Sequence, residues 1–266
     1  MNVHAPNVAF TTQGKRVTLH FASAEDHIAR TIEATGGFYE AELLADVRSR
    51  LFFPHCAVDV GAHVGNHTLY FSKILGLKTI AFEPNAATFK LLAANVRENG
   101  VELQCRLRHA AVGAAAGRVH TIASTEANSG MSRVEIDEDG DTPLLNLDDE
   151  LKNDGPIDVI KIDVEGWEVD VLRGAARVIQ QHRPLLYVGR AMPPLPRSGL
   201  TSLRAAMSVG SGSTQPLRSS SCRTRGWVLP ILGSTETLPD ASGVSGSLRP
   251  MGRVTHHDNV SKGENA

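Results

Sequence analysis

From residue 57 to about residue 188 the chain repeats one pattern: a short apolar run, a breaker, then apolar residues at helical spacing. Ala57 to Val60 reads as a buried strand that stops at Gly61. Asn66 is placed to cap a helix carrying Leu69, Ile74 and Leu75, which Gly76 closes. Lys78 to Phe82 is the next strand. Asn85 caps a helix whose Phe89, Leu92 and Val96 share one face, and Gly100 ends it. Leu103 to Leu107 predicts a third strand and Gly117 to Ile122 an extra one. A turn at Asp154-Gly155-Pro156 leads into residues 157–163, the clearest strand in the chain. Val169, Leu172, Ala176 and Ile179 mark a helix, and Pro184 to Val188 a last strand. Repeated β-α units of this size predict an α/β fold, Rossmann-like, with a mostly parallel sheet and helices on both faces.

The flanks read differently. In residues 1–56 the pattern of Leu43, Leu44 and Val47 predicts an amphipathic helix, so this segment is expected to be a helical cap. Tyr39 and Glu40, just before that helix, are placed to fold over a ligand as a lid. Residues 57–189 form the core. From Arg190 on there are 13 serines, eight arginines, one lysine and only four acids, with one concentrated apolar run at Trp227 to Leu232. Such composition buries too little surface to offset ordering entropy, so residues 190–266 read as a disordered tail. Without a partner from that tail, Pro184 to Val188 is expected to be an uncovered edge strand.

Composition narrows the function classes. The 266-residue chain is 41% hydrophobic with a formal net charge of −2, a balance without a basic nucleic-acid footprint. No apolar run reaches the roughly 18 residues of a membrane span, and the polar start Met1-Asn2-Val3-His4 is not a secretion signal. Cys56, Cys105 and Cys222 are odd in number and widely spaced, matching neither a disulfide framework nor a zinc site. A reducing compartment, by default the cytoplasm, is the expectation, and no metal site is expected.

Candidate chemistry begins at Asp59-Val60-Gly61-Ala62-His63-Val64-Gly65-Asn66 and continues at Phe82-Glu83-Pro84. A strand ending in a glycine turn, a helix, and a second strand ending in an acid build a nucleotide-type pocket. Gly61 permits a tight turn and close backbone approach to a ligand. Glu83 is placed to accept hydrogen bonds from both hydroxyls of a ribose. A dinucleotide fingerprint needs glycines where His63 and Asn66 stand, which disfavours a nicotinamide oxidoreductase. In a parallel sheet ligands bind beyond the carboxyl ends of the strands. The glycine turn, Glu83, the 109–112 segment and Asp163 all fall at those ends.

With these residues in view the chain resembles the FkbM family of methyltransferases. The matches are Phe38-Tyr39-Glu40, Asp59 through Thr68, Phe82-Glu83-Pro84, Ala110-Ala111-Val112-Gly113, Leu147-Asp148-Asp149 and Ile160-Lys161-Ile162-Asp163-Val164-Glu165-Gly166. They run in the family's order over residues of about 25 to 188. The resemblance implies a class I methyltransferase fold and S-adenosylmethionine as donor. The acceptor it implies is a hydroxyl oxygen on a small molecule or sugar. It implies a cofactor site at Asp59, Gly61, Ala62, Gly65, Asn66, Thr68, Glu83, Ala110 and Ala111. Two departures stand out. His63 replaces the family's usual Asn, and Gly189 stands where such chains carry an acid before a final helix and antiparallel hairpin. A reading-frame shift near residue 189 is one account of the tail, and a natural disordered tail is the other. A cofactor-binding protein without turnover is the alternative function that this C-terminus suggests.

Methyl transfer to a hydroxyl needs a nearby base, which contributes about 10²–10⁴-fold. Asp163 and Glu165 bracket the end of the best strand, and in an extended segment residues i and i+2 point the same way. They are the candidate catalytic carboxylates. Asp163 is otherwise a ligand of the cofactor's methionine end, and Glu165 a helix cap. Asp148 and Asp149 could hold Mg²⁺, but the resemblance favours a structural position for them.

Overall fold

The computed structural model describes residues 6–122 and 133–189, together with the backbone of a strand at 226–229. The described residues begin with a hairpin, not a helix: β1 (Asn7–Thr12) pairs antiparallel with β2 (Lys15–His20). Gln13 and Gly14 both have positive φ, 49° and 74°, as a two-residue hairpin turn with the right twist demands. Phe10 on β1, Val17 and Leu19 on β2, and Phe21 just beyond it are buried at period two. The expected helical cap at residues 1–56 is thus corrected to a hairpin followed by α1 (His27–Thr35) and α2 (Ala41–Arg50).

Then comes the core: β3 (Cys56–Val60), α3 (Asn66–Leu69), β4 (Lys78–Phe82), α4 (Ala86–Glu98) and β5 (Cys105–Arg108). After these follow β6 (Ala111–Val112), β7 (Gly117–Ile122), β8 (Arg133–Ile136), β9 (Thr142–Leu145) and α5 (Leu147–Glu150). The described core closes with β10 (Val159–Ile162), α6 (Glu168–Gly174), α7 (Ala176–His182) and β11 (Leu185–Gly189), and β12 (Gly226–Leu229) lies beyond. The main sheet has the order β12-β11-β10-β3-β4-β5, with β12 antiparallel and all other pairs parallel. The strand order reverses between β3 and β10, which makes their carboxyl ends the switch point. A smaller sheet, β6-β9-β7-β8, lies beside it in sequence.

Neighbouring residues on a strand feed opposite faces. Ala57, Ala81, Val159 and Tyr187 join one buried cluster, with Leu44, Leu69 and Leu92. Val58, Ile80, Ile160 and Leu186 join the other, with Val171, Leu172 and Ile179.

Three sequence expectations change. Asn66 does not cap its helix; Gly65, left-handed at φ 99°, occupies that position, and the helix passes after one turn into a π-helical turn at Tyr70–Ile74. Leu103 is fully exposed and lies outside β5. Pro184 to Val188 is not an edge, because β12 adds to β11 in the register Leu186 to Leu229 and Val188 to Trp227. The apolar run supplies that partner. Residues 190–225 and 230–266, and with them the disorder and frame-shift expectations and Cys222, lie outside the described residues.

Candidate functional site

Glu83 stands at the end of β4 with only 6% of its surface exposed. Its carboxylate accepts one backbone N–H on each oxygen: His63 N at 2.9 Å on Oε2 and Asn85 N at 2.9 Å on Oε1. An ionised carboxylate offers about four lone pairs, so two remain. That is the complement of a vicinal diol. Burial pushes the Glu83 pKa up to about 7, although both backbone donors and Lys161 pull against it.

The loop that presents His63 is held from several sides. Gly61 N and Ala62 N both donate to Phe82 O at 3.0 Å, tying the end of β3 to β4. Gly61 has φ +77°, and a Cβ there would overlap the carbonyl oxygen of Asp163. The passing chain after β10 by itself demands a glycine here. At Gly65 a Cβ would stand 2.8 Å from Leu92 Cδ1, so this glycine lets the loop pack on α4. Asp59 is fully buried and accepts from Thr68 Oγ1 at 2.7 Å. Both side chains brace the loop from below.

Lys161 was not singled out by the sequence, yet it joins the two halves of the site. It is the register partner of Asp59 across β10 and β3, so both side chains leave the sheet on one face. Its ammonium donates to Gly61 O at 2.9 Å and lies 3.4 Å from Asp59 Oδ1 and 3.7 Å from Asp163 Oδ2. Burial alone would depress its pKa; Asp59, Asp163 and Glu40 outweigh that and hold it above the ordinary value. A lysine inside the apolar run Val159-Ile160-Lys161-Ile162 was the available signal. A buried cation needs a buried partner.

The candidate acids at β10 part company. Asp163 keeps strand geometry, its N–H donating to Val60 O at 3.0 Å, and 48% of its side chain is exposed. Glu165 is exposed and left-handed, with φ 47°, and Gly166 follows at φ 102°. The extended i, i+2 relationship therefore does not hold between them. The turn is fixed from inside by Glu168, 1% exposed, whose two carboxylate oxygens each lie 3.1 Å from Gly166 N. Gly189 sits close by: a Cβ there would stand 2.6 Å from Asp163 Oδ1.

Tyr39 and Glu40 are joined to the start of α3. Asn66 clamps the Tyr39 backbone with both ends of its amide, accepting from N at 3.0 Å and donating to O at 3.1 Å. Glu40 lies 3.2 Å from His67 Nε2. Ala110 and Ala111 are buried just past β5, and His109 Nε2 pairs with Pro84 O at 3.0 Å, linking that segment to the Glu83 turn. Half-buried His63 has its pKa lowered by burial, which keeps its imidazole neutral near pH 7. Asp148 accepts from Arg177 N and Val178 N at 3.0 and 2.9 Å, capping α7. Among the described residues no group of three or more His, Cys, Asp or Glu is placed to hold a metal ion, and no helix is long and apolar enough to cross a membrane. A separate cleft of about 550 Å³, lined by Thr12, Phe38, Leu44, Arg48 and Tyr70 among others, contains none of the carboxylates above.

Comparison with known proteins gives this geometry a family. The chain is 31% identical over 127 residues to the hexuronic acid methyltransferase AglP of Haloferax volcanii, an alignment covering 46% of this chain and 50% of that protein. It thus spans about half the length of that curated relative. Among solved structures it is similar to a methyltransferase FkbM from Methylobacillus flagellatus, at TM-score 0.42 and 19% identity over 59% of this chain and 39% of that one. A SAM-dependent methyltransferase from Agrobacterium tumefaciens aligns at TM-score 0.43 and 11% identity, over 78% of this chain and 60% of that one. The family model for the methyltransferase FkbM domain matches residues 59–206, more than half of the chain, from the buried acid of β3 past the end of β11. The chain belongs to the FkbM methyltransferase domain family.

Proposed function

We propose that this chain transfers the methyl group of S-adenosylmethionine to a hydroxyl oxygen of a small molecule, with sugars as the first acceptors to test. One observation carries the cofactor assignment. The Glu83 carboxylate is buried, oriented by His63 N and Asn85 N, and retains two lone pairs for a ribose diol. The loop from Gly61 to Gly65, braced by Asp59, Thr68 and Lys161, would hold the methionine end, and Ala110 and Ala111 would flank the base. When bound, the cofactor supplies an electrophilic methyl on a sulfonium. The protein has to hold the acceptor oxygen in line with it, which is worth roughly 7–11 kcal/mol of the barrier. Asp163, half in solvent and close to Lys161, is the group that takes the hydroxyl proton. The similarity to a hexuronic acid methyltransferase of Haloferax volcanii supports a uronic acid or related sugar as acceptor.

A second reading has one observation behind it. Gly189, next to Asp163, stands where the resemblance implies an acid, so the acceptor side has Asp163 without that second carboxylate. That favours cofactor binding without turnover. Calorimetry with S-adenosylhomocysteine and with NADH, then radiolabelled donor with hydroxylated sugars including hexuronic acids, separates the readings. Labelled sugar supports the transferase. Binding with no labelled acceptor supports the second reading. Binding of NADH alone sinks both.

A further inference from the structure

The outer edge of β2 is completed by side chains. Asn95 Oδ1 accepts from His20 N at 2.8 Å, and its Nδ2 donates to His20 O at 3.0 Å. Asn99 treats Thr18 in the same way, accepting from its N–H at 3.2 Å and donating to its carbonyl at 2.6 Å. The spacing explains the match. Residues two apart on a strand are separated by about 6.8 Å, and residues four apart on a helix by about 6 Å. Two asparagine amides one turn apart on α4 therefore stand in for the peptide groups of a missing third strand. Both are buried, Asn95 completely.

Asn95 has a second hydrogen on Nδ2, and it goes elsewhere. It donates to Val64 O at 2.8 Å, inside the cofactor loop. Val64 lies between His63 at φ 52° and Gly65 at φ 99°. A loop with a left-handed non-glycine residue persists only where its surroundings hold it. The peptide that Asn95 grips, Val64–Gly65, lies two peptide units beyond the His63 N–H that orients Glu83. Asn99 has no contact of this kind: its other partners are Lys73 Nζ and Asn95 O.

We propose that Asn95 is a positioning residue that ties the cofactor loop to the N-terminal hairpin, so that hairpin docking and cofactor binding reinforce each other. The proposal rests on the cofactor reading above. Coupling of this kind typically amounts to 5–150-fold and is reciprocal. Asn95→Ala is expected to weaken S-adenosylhomocysteine binding about tenfold by calorimetry, equivalent to about 1.4 kcal/mol. Asn99→Ala, which loosens the hairpin only at Thr18 and leaves the Asn95 bridge from His20 to Val64 intact, is expected to leave affinity within about twofold. Amide hydrogen exchange supplies a measurement that needs no variant. Saturating S-adenosylhomocysteine should slow exchange of the His20 amide in the wild-type chain by about the tenfold of the coupling, and that of Thr18 much less. A folded Asn95→Ala protein with wild-type affinity overturns the proposal. Equal weakening by Asn99→Ala, or no slowing at His20, does the same. Failure of the wild-type chain to bind S-adenosylhomocysteine at all is seen before any variant is made and removes the cofactor reading itself.

Discussion

At the end of β4 a carboxylate is gripped by two backbone N–H groups and largely buried; at the end of β10 a carboxylate stands half in solvent, with Lys161 3.7 Å away. Both acids occupy the same topological place, one strand to either side of β3. Their surroundings suit different work. Glu83 is preorganised by groups that cannot rotate away, as a holder of one invariant ligand should be. Asp163 keeps access to water and to an incoming hydroxyl, as a proton acceptor needs. The seam between them is Gly61, which touches the β4 end through Phe82 O and the β10 end through the Asp163 carbonyl.

Breaking that seam should have the largest effect. Gly61→Val places a β-branched residue at φ +77° and drives its Cβ into backbone. Such strain combined with a clash belongs to the rare substitutions above about 4 kcal/mol. Loss of the cooperative thermal transition is the expected result. A folded variant with a near-native Tm would show that the two strand ends separate easily.

The next largest effect tests the open half alone. Asp163→Asn keeps shape and removes the charge, so if Asp163 is the proposed base methyl transfer should fall by about 10²–10⁴. Affinity for S-adenosylhomocysteine should stay within about threefold in the same protein. If affinity and rate fall together, Asp163 anchors the cofactor and the contrast with Glu83 is lost.

Glu83→Gln tests the closed half. Each charge-assisted hydrogen bond lost should weaken S-adenosylhomocysteine binding by roughly 1.5–3 kcal/mol. Glu83→Ala is the poorer probe, because it would orphan His63 N and Asn85 N. The pH dependence sharpens the test. Glu83 is held at about 7 when folded against an ordinary 4.5. Between those values the folded chain keeps a proton that the unfolded chain releases. This group's stabilisation is thus complete below pH 4.5 and is lost as pH rises through 7. Binding runs the opposite way, since only the ionised form accepts from both hydroxyls. Affinity should fall by up to about tenfold per pH unit below 7 and level off in Glu83→Gln. A flat wild-type profile between pH 5 and 8 would take Glu83 out of the diol site.

The closed half was the more legible in the sequence, for a physical reason. An apolar strand, a glycine turn and a strand-end acid are local patterns, and Glu83 and Asp163 were readable as acids at strand ends. What escaped was set by partners far along the chain. Gly61 reads as making room for a ligand, and its contact with the Asp163 backbone after β10 was not readable. Asn66 reads as a cap, but Tyr39 has taken its amide. Lys161 is a polar interruption in a strand until register sets it beside Asp59. The hairpin at 7–20 was missed because each strand is short and its turn is Gln-Gly, a weaker signal than Asn-Gly. At the other end, the value of Trp227 to Leu229 as an antiparallel partner for β11 could not be read from a serine-rich context.

The smallest expected effect decides whether the open half holds one working carboxylate or two. Glu165 was paired with Asp163 on the premise of an extended chain, and the chain turns out of that conformation at Glu165 itself, where φ is 47°. The turn is not an incidental kink, because Glu168 reaches back to hold the following N–H from a buried position. Glu165 is therefore exposed at a corner whose backbone is fixed by the local packing. Glu165→Gln should change the rate of methyl transfer by less than about threefold, far below the 10²–10⁴ of a lost base. Glu165→Gly should stabilise the fold by up to about 1 kcal/mol, because glycine adopts that φ without a Cβ. A hundredfold loss of rate in Glu165→Gln, with S-adenosylhomocysteine affinity unchanged, would move the base to Glu165 and make Asp163 the partner of Lys161 alone.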